Sequence, residues 1–154
     1  VSKTNFEVDF ETSIGPWLGR TVKLVDYHVQ EAFDRVGIDL TKEQMIVLMT
    51  LRDQDGVNQN ELASLTYRDK SSLARLLSKM ENKNYISRSQ SEEDKRNNQV
   101  FITSDGVAIF NRVKPVIQEI IDTMEYGISE KEKVQMISNL KRIQNNFQTK
   151  LVSK

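Results

Sequence analysis

The chain contains no cysteine. Disulfides, thiol catalysis and thiol-based redox sensing are therefore all excluded. A single histidine is present, and one imidazole without thiolates is a poor basis for a transition-metal site, so no metal is expected. Proline occurs only twice, and neither an internal repeat nor a low-complexity linker interrupts the sequence. No apolar run approaches the length of about eighteen residues that a membrane helix needs. The segment VSKTNFEVDFE at the N-terminus lacks the apolar centre of a signal peptide. A cytoplasmic protein with no membrane partner is the expectation. Glycine-rich phosphate loops, metal-ligand clusters and nucleophiles with an adjacent base are missing as well, so neither an enzyme nor a cofactor is predicted.

An excess of charge of one sign is also lacking. The 22 basic and 22 acidic residues cancel. A neutral chain can engage nucleic acid only if its basic groups are segregated onto one surface. Residues 1–40 hold four basic and seven acidic groups, whereas residues 68–88, RDKSSLARLLSKMENKNYISR, hold six basic and only two acidic ones. The length of 154 residues, 38% apolar and 29% charged, suits one globular domain with a substantial core.

Apolar residues recur at helical spacing from Ile14 through Trp17, Leu18, Val22, Val25, Val29, Phe33 and Val36, and Gly37 is a natural stop. This face is wide, because Leu24, Tyr27 and Ala32 extend it, which suggests burial against more than its own domain. Thr41 opens a capping box with Gln44, ahead of Met45, Leu48 and Leu51. Asp55-Gly56 signals a turn, and Asn58 with Glu61 begins a short helix. Asp69 suits the N-cap of a helix running to about Lys83. On that helix Leu73, Leu76, Leu77 and Met80 face the core, and the opposite side collects Ser71, Arg75, Ser78 and Asn82, flanked by Ser72 and Lys79. Period-two alternation around Ile86 and again around Val100, either side of a polar loop, predicts a hairpin. A long helix with Pro115 inside follows Gly106. Gly127 ends it, and Ser129 with Glu132 caps a last helix bearing Val134, Ile137, Leu140 and Phe147. The predicted fold is mainly α with a small β-hairpin wing: a winged helix-turn-helix with six helices. Long helices at both ends pack poorly on so small a central unit, and their expected partner is a second copy.

Several stretches in this order resemble the MarR family of bacterial transcription regulators: LTKEQMIVLMTL at 40–51, QNELA at 59–63, DKSSLARLLSKMENKNYISR at 69–88 and EDKRNNQVFIT at 93–103, followed by Gly106. The resemblance covers nearly the whole chain; one departure is Asn84, where relatives usually carry glycine. It implies a single domain over residues 1–154, with a DNA-binding lobe at about 40–103 and dimerisation helices at about 12–37 and 105–154. It further implies a homodimer on a pseudo-palindromic double-stranded DNA operator, one recognition helix per major groove, acting as a repressor. Ser71, Ser72 and Arg75 then fall at base edges or nearby phosphates, Arg96 at the wing tip falls in or beside the minor groove, and Asp94 braces that tip by pairing with an arginine. Relatives often hold small aromatic or anionic effectors between the first helix, the fifth helix and the DNA-binding lobe. Trp17, Arg20 and His28 are the candidates here to line such a pocket, although packing explains the tryptophan, and an interface position the histidine, more simply.

Chemistry gives each DNA candidate a role and a plainer alternative. The Arg75 fork suits guanine O6 and N7, but a solvated arginine is the commonest fate of an exposed helical cation. Ser71 and Ser72 suit phosphate at a helix N-terminus or merely first-turn propensity. Arg68, Lys70 and Lys79 join them as contacts, the lysines, with Lys83, supplying counterion-releasing charge rather than sequence information. Lys95 and Arg96 are flanked by Glu92, Glu93 and Asp94, so this loop needs a specific geometry to grip DNA. Arg88, at the wing base, either reaches phosphate or neutralises Asp94. The rival function is a winged helix used as a protein-interaction module without sequence-specific DNA binding, favoured by the neutral total charge.

Overall fold

The computed structural model describes residues 8–93 and 98–152. Its elements run α1 (Ile14–Arg35), α2 (Lys42–Asp53), β1 (Val57–Asn58), α3 (Gln59–Leu65), α4 (Lys70–Asn82), β2 (Ile86–Gln90), β3 (Asn98–Ile102), α5 (Ser104–Met124) and α6 (Glu130–Val152). The chain is mainly helical, with six helices among the described residues, as its periodicity predicts.

Local side-chain chemistry sets most boundaries. Thr41 and Gln44 form a reciprocal capping box at the start of α2, the Gln44 amide donating to Thr41 Oγ1 over 3.2 Å. The side chains of Asn58 and Asp69 each accept a backbone N–H, from Glu61 and Ser72, both at 2.8 Å. Such caps satisfy N–H groups that a helix start leaves unpaired. At the start of α6, Ser129 Oγ and its amide both donate to Glu132 Oε2, which holds that carboxyl below its ordinary range. Lys133 lies between Glu125 at 2.8 Å and Glu130 at 2.7 Å, and these two acids hold its ammonium above the usual lysine range. Helix α5 continues through Pro115 as one element.

Two non-glycine residues among those described have positive φ, Tyr67 at 53° and Asn84 at 59°. Asn84 fits the habit of helix C-termini, since asparagine tolerates the left-handed region. Tyr67 does not. A residue with a bulky Cβ substituent costs roughly 1–2 kcal/mol there.

The wing is a three-stranded antiparallel sheet in the order β1-β3-β2, rather than a bare hairpin. Strand β1 is two residues long, too short to carry an alternation signal, and it pairs Val57 with Val100. Strands β2 and β3 pair Ile86 with Ile102 and Gln90 with Asn98 at the last described rung.

The chain divides into two compact units, one up to Ile120 and one from Ile121 onward. In the first, Val29 and Phe33 of α1 join Val47, Leu48 and Leu51 of α2, Leu62 of α3, Leu73, Leu77 and Met80 of α4, and Val113 of α5 in one buried cluster. Each fully buried aliphatic or aromatic side chain contributes about 1.5–3 kcal/mol. Leu76, placed on the core side by its spacing, is only partly buried but packs against that cluster. The wide apolar face of α1 is split: Val25, Val29, Ala32 and Phe33 reach this core, whereas Ile14, Trp17, Val22, Leu24, Tyr27 and, just past the helix end, Val36 stay exposed. In the second unit Met124, Val134, Ile137 and Phe147 are likewise exposed.

Candidate nucleic-acid interface

Helix α4 follows α3 after a short turn and packs on α3 and β2. Its inner side is fixed by Leu73, Leu77 and Met80, all with no exposed surface. At about 100° per residue this anchoring turns the opposite side outward. Lys70, Ser71, Arg75, Ser78, Lys79 and Asn82 are exposed there. Among the described residues, no hydrogen bond or ion pair holds Lys70, Ser71, Arg75 or Lys79.

The other predicted contacts are partly engaged within the chain. Ser72 is half-buried; its amide serves the Asp69 cap and its hydroxyl accepts from Arg68 Nη2 over 3.0 Å. Arg68 Nε is enclosed without a hydrogen-bond partner. Lys83 does not add free charge to the face, because its Nζ lies 2.7 Å from Asp39 Oδ1 and 3.3 Å from Gln44 Oε1. It therefore ties the end of α4 to the segment before α2, where Tyr85 Oη also donates to the Asp39 carbonyl over 3.0 Å.

Arg88 is clamped onto the helix. Its Nη2 lies 3.1 Å from Glu81 Oε1 and its Nε 3.3 Å from Glu81 Oε2, and Nη2 reaches Ser78 Oγ at 3.3 Å. The hydrogen bonds from Arg88 hold the Glu81 carboxyl below its ordinary range. A depressed acid stabilises the fold above the ordinary carboxylate pKa, and that contribution fades as pH falls through the folded-state value. Glu81 is part-exposed, so the pair is worth less than about 1 kcal/mol after solvent screening. Arg88 and Glu81 are seven residues apart on different elements, and nothing in the sequence announces the pairing. Glu81→Gln is expected to free the guanidinium for phosphate. The slope of log affinity for random DNA against log salt should steepen by about 0.9 per protomer, with little loss of stability. An unchanged slope in a fluorescence-anisotropy titration would leave Arg88 as a brace only.

Asp94, Lys95 and Arg96 lie outside the described residues; the strands leading to them are in place on both sides. On α1, Trp17 and Arg20 come together, the guanidinium 5.3 Å from the indole centroid, while Trp17 Nε1 donates to the Glu11 carbonyl over 2.9 Å. His28 stands eleven residues further on, about 16 Å along the helix axis. Its Nδ1 is 3.4 Å from Glu31 and its ring meets Tyr27 edge-on. A depression of about 510 Å³ nearby is lined by Tyr27, Gln30, Glu31, Asp34 and Arg35, and includes none of the three candidates.

Two helices joined by a short turn, the second with an unobstructed polar and basic face, followed by a sheet wing, define a winged helix-turn-helix DNA-binding protein. The sequence comparisons carry this further. The MarR family model matches residues 40–97. The HTH-type transcriptional regulator SarZ of Staphylococcus haemolyticus is 33% identical over 112 residues, 71% of this chain and 74% of that protein. The chain belongs to the MarR family, and it is a DNA-binding transcriptional regulator of that type. Solved structures agree on the fold. The Bordetella bronchiseptica regulator BpsR, described in connection with regulation of its DNA binding by 6-hydroxynicotinic acid, superposes with a TM-score of 0.81 at 22% identity, covering 90% of this chain and 97% of that one. The transcriptional repressor CouR, solved bound to a 23-mer DNA duplex, gives 0.80 at 22% identity, with 90% and 99% covered. Among the described residues no helix is long and apolar enough to cross a membrane.

Proposed function

We propose that the protein is a cytoplasmic homodimeric repressor that binds a pseudo-palindromic operator with one α4 helix in each of two successive major grooves. One observation carries this reading: the leucine side of α4 is buried while Ser71, Arg75 and Lys79 stand bare on the other side. Arg75 reads a base edge. Ser71, Ser72, Arg68, Lys70 and Lys79 secure the backbone, and Arg88 joins them only when released from Glu81. Lys95 and Arg96 bring the wing to the adjacent minor groove, with Asp94 bracing its tip. The residues at about 40–103 act as the DNA-binding lobe. Those at about 12–37 and 105–154 act as dimerisation helices, supported by the apolar side chains left exposed on α1 and, separately, on α6.

Successive grooves on one face of DNA are about 34–36 Å apart, so a modest change of angle between two lobes prevents simultaneous docking. A small aromatic or anionic effector that binds the non-docking state more tightly would release the operator. Trp17 and Arg20 offer such a ligand a ring and a cation. A ligand of one or two rings cannot also span the roughly 16 Å to His28, so the Trp17–Arg20 pair is the favoured contact. BpsR, whose DNA binding is described as regulated by 6-hydroxynicotinic acid, lends the effector reading support.

Selection of bound duplexes from a random pool tests the proposal as a whole. The expected result is two inverted half-sites at one-turn spacing, with affinity falling steeply as salt rises. Single half-sites, or no enriched sequence, would sink the dimeric operator reading and leave the interaction-module alternative. Arg96→Ala is expected to weaken binding most where the flanking DNA is A·T-rich, because a narrow minor groove attracts arginine. Indifference to flank sequence would remove the wing from that groove.

A further inference from the structure

The turn between α3 and α4 carries an unexplained feature. Its backbone closes in the manner of a helix C-cap: Tyr67 N–H donates to the Ser64 carbonyl over 3.2 Å and Arg68 N–H to the Ala63 carbonyl over 2.9 Å. That closure requires a left-handed residue at position 67, where glycine or asparagine would sit without strain. Tyrosine occupies it, at φ 53°. Tyr67 is 83% exposed, and among the described residues its side chain makes no hydrogen bond or ring contact. The chain therefore bears the conformational cost and regains nothing from burying or bonding the ring. Strain kept without an internal return points to a use outside the chain.

The location suggests the use. Tyr67 lies two residues before the Asp69 cap, four before Ser71 and next to Arg68, at the N-terminal end of the helix proposed to enter the major groove. In a helix-turn-helix the first helix crosses the sugar–phosphate backbone and the start of the second enters the major groove, so the turn joining them lies at the groove edge. A phenol there has the reach and the donor for a phosphate oxygen, and tyrosine is among the side chains that make such contacts. We infer that Tyr67 is a DNA-backbone contact, its hydroxyl donating to a phosphate oxygen at the edge of each half-site. This rests on the operator-binding reading of α4. A neutral donor releases no counterion, so the contact adds affinity without adding salt dependence, unlike Lys70 or Lys79.

The test uses Tyr67→Phe and Tyr67→Asn, followed by urea unfolding and by anisotropy titration against a random-sequence duplex and the duplex selected by the wild-type protein. Tyr67→Asn is expected to raise the unfolding midpoint by relieving the backbone, yet to bind both duplexes less well. Tyr67→Phe is expected to leave the midpoint unchanged and lose at least about tenfold in affinity per protomer, so about a hundredfold for the dimer on both duplexes, the worth of one hydrogen bond to a charged group at each half-site, with the salt slope unaltered. Wild-type affinity of both variants, with the wild type still selecting its paired half-sites, would overturn the inference alone. A loss confined to Tyr67→Asn would overturn the hydroxyl's role in favour of the ring. Failure of the wild-type protein to bind any duplex would overturn this inference together with the operator reading.

Discussion

Replacing Gly106 with alanine is expected to destabilise the fold by about 3 kcal/mol or more, the upper range for forced overpacking. A Cβ built at this position falls 2.1 Å from the Tyr85 carbonyl oxygen and 2.9 Å from Ile102 Cγ1. The first clash is with backbone, so no rotamer change can relieve it. That carbonyl is also fixed, since it accepts the Thr103 amide over 3.1 Å. Around it, Thr103 Oγ1 donates to the Asn84 carbonyl over 2.6 Å and accepts from the Gly106 amide over 3.0 Å, and Asn84 Nδ2 donates to Asp105 Oδ2 over 2.8 Å. The start of α5 is thus fastened to the chain leaving the recognition helix. Urea unfolding should register the loss, as should a fall of about 6–12 °C in Tm for a domain of this size. Gly19, whose added Cβ would meet nothing of its own chain within 4 Å, is the contrast: with that side of α1 free, Gly19→Ala should leave the midpoint unchanged or raised, as removal of a helical glycine usually does, and a loss would come from the second copy proposed to cover α1. A Gly106→Ala protein as stable as wild type would mean that the Tyr85 carbonyl can move away from Gly106 at little cost.

The difference between these two glycines indicates what was legible in the sequence. Gly106 stood out as the residue ahead of the long helix and as part of a family pattern; it lies inside α5, and its physical reason is Tyr85, twenty-one positions earlier. Helix starts and the core side of α4 have local causes and were readable. The caps at Thr41, Asn58 and Asp69 depend on a partner three residues away, and Leu73, Leu77 and Met80 announce their burial by spacing alone. Causes that cross between elements were not readable. Lys83 looked like spare charge and proves to be paired with Asp39, and Arg88, read as reaching phosphate or neutralising Asp94, is held by Glu81. Strand β1 was missed because two residues cannot show a period; β3 defines it by pairing. In the N-terminal half of α1, Ile14, Trp17, Val22 and Leu24 are exposed among the described residues, although their spacing groups them with the buried Val29 and Phe33. Tyr67 would never be chosen from sequence as a left-handed residue, since tyrosine ranks among the least suited to it.

Arg75→Ala is expected to cost about 1–3 kcal/mol in affinity at each half-site of the selected operator, roughly 5- to 150-fold per protomer, and distinctly less on random DNA. The asymmetry follows from what the structure leaves available. Arg68 is engaged with Ser72, Arg88 with Glu81, and Lys83 with Asp39, so these cations would first have to give up internal partners. Arg75 has none among the described residues and sits mid-helix, flanked on the same face by Ser71 and Lys79. Its guanidinium can present two parallel donors to a guanine edge, a match that a lysine ammonium cannot reproduce. Arg75→Lys therefore separates charge from shape. It should keep most of the affinity for random DNA and the same salt slope, because the phosphate attraction survives, while discrimination at one base pair of each half-site is relaxed. Anisotropy titrations against the operator, the operator changed at that pair and a random duplex would measure all three quantities. Equal losses on every duplex for Arg75→Ala would reduce Arg75 to a phosphate contact, and specificity would then have to come from the wing or from the deformability of the site.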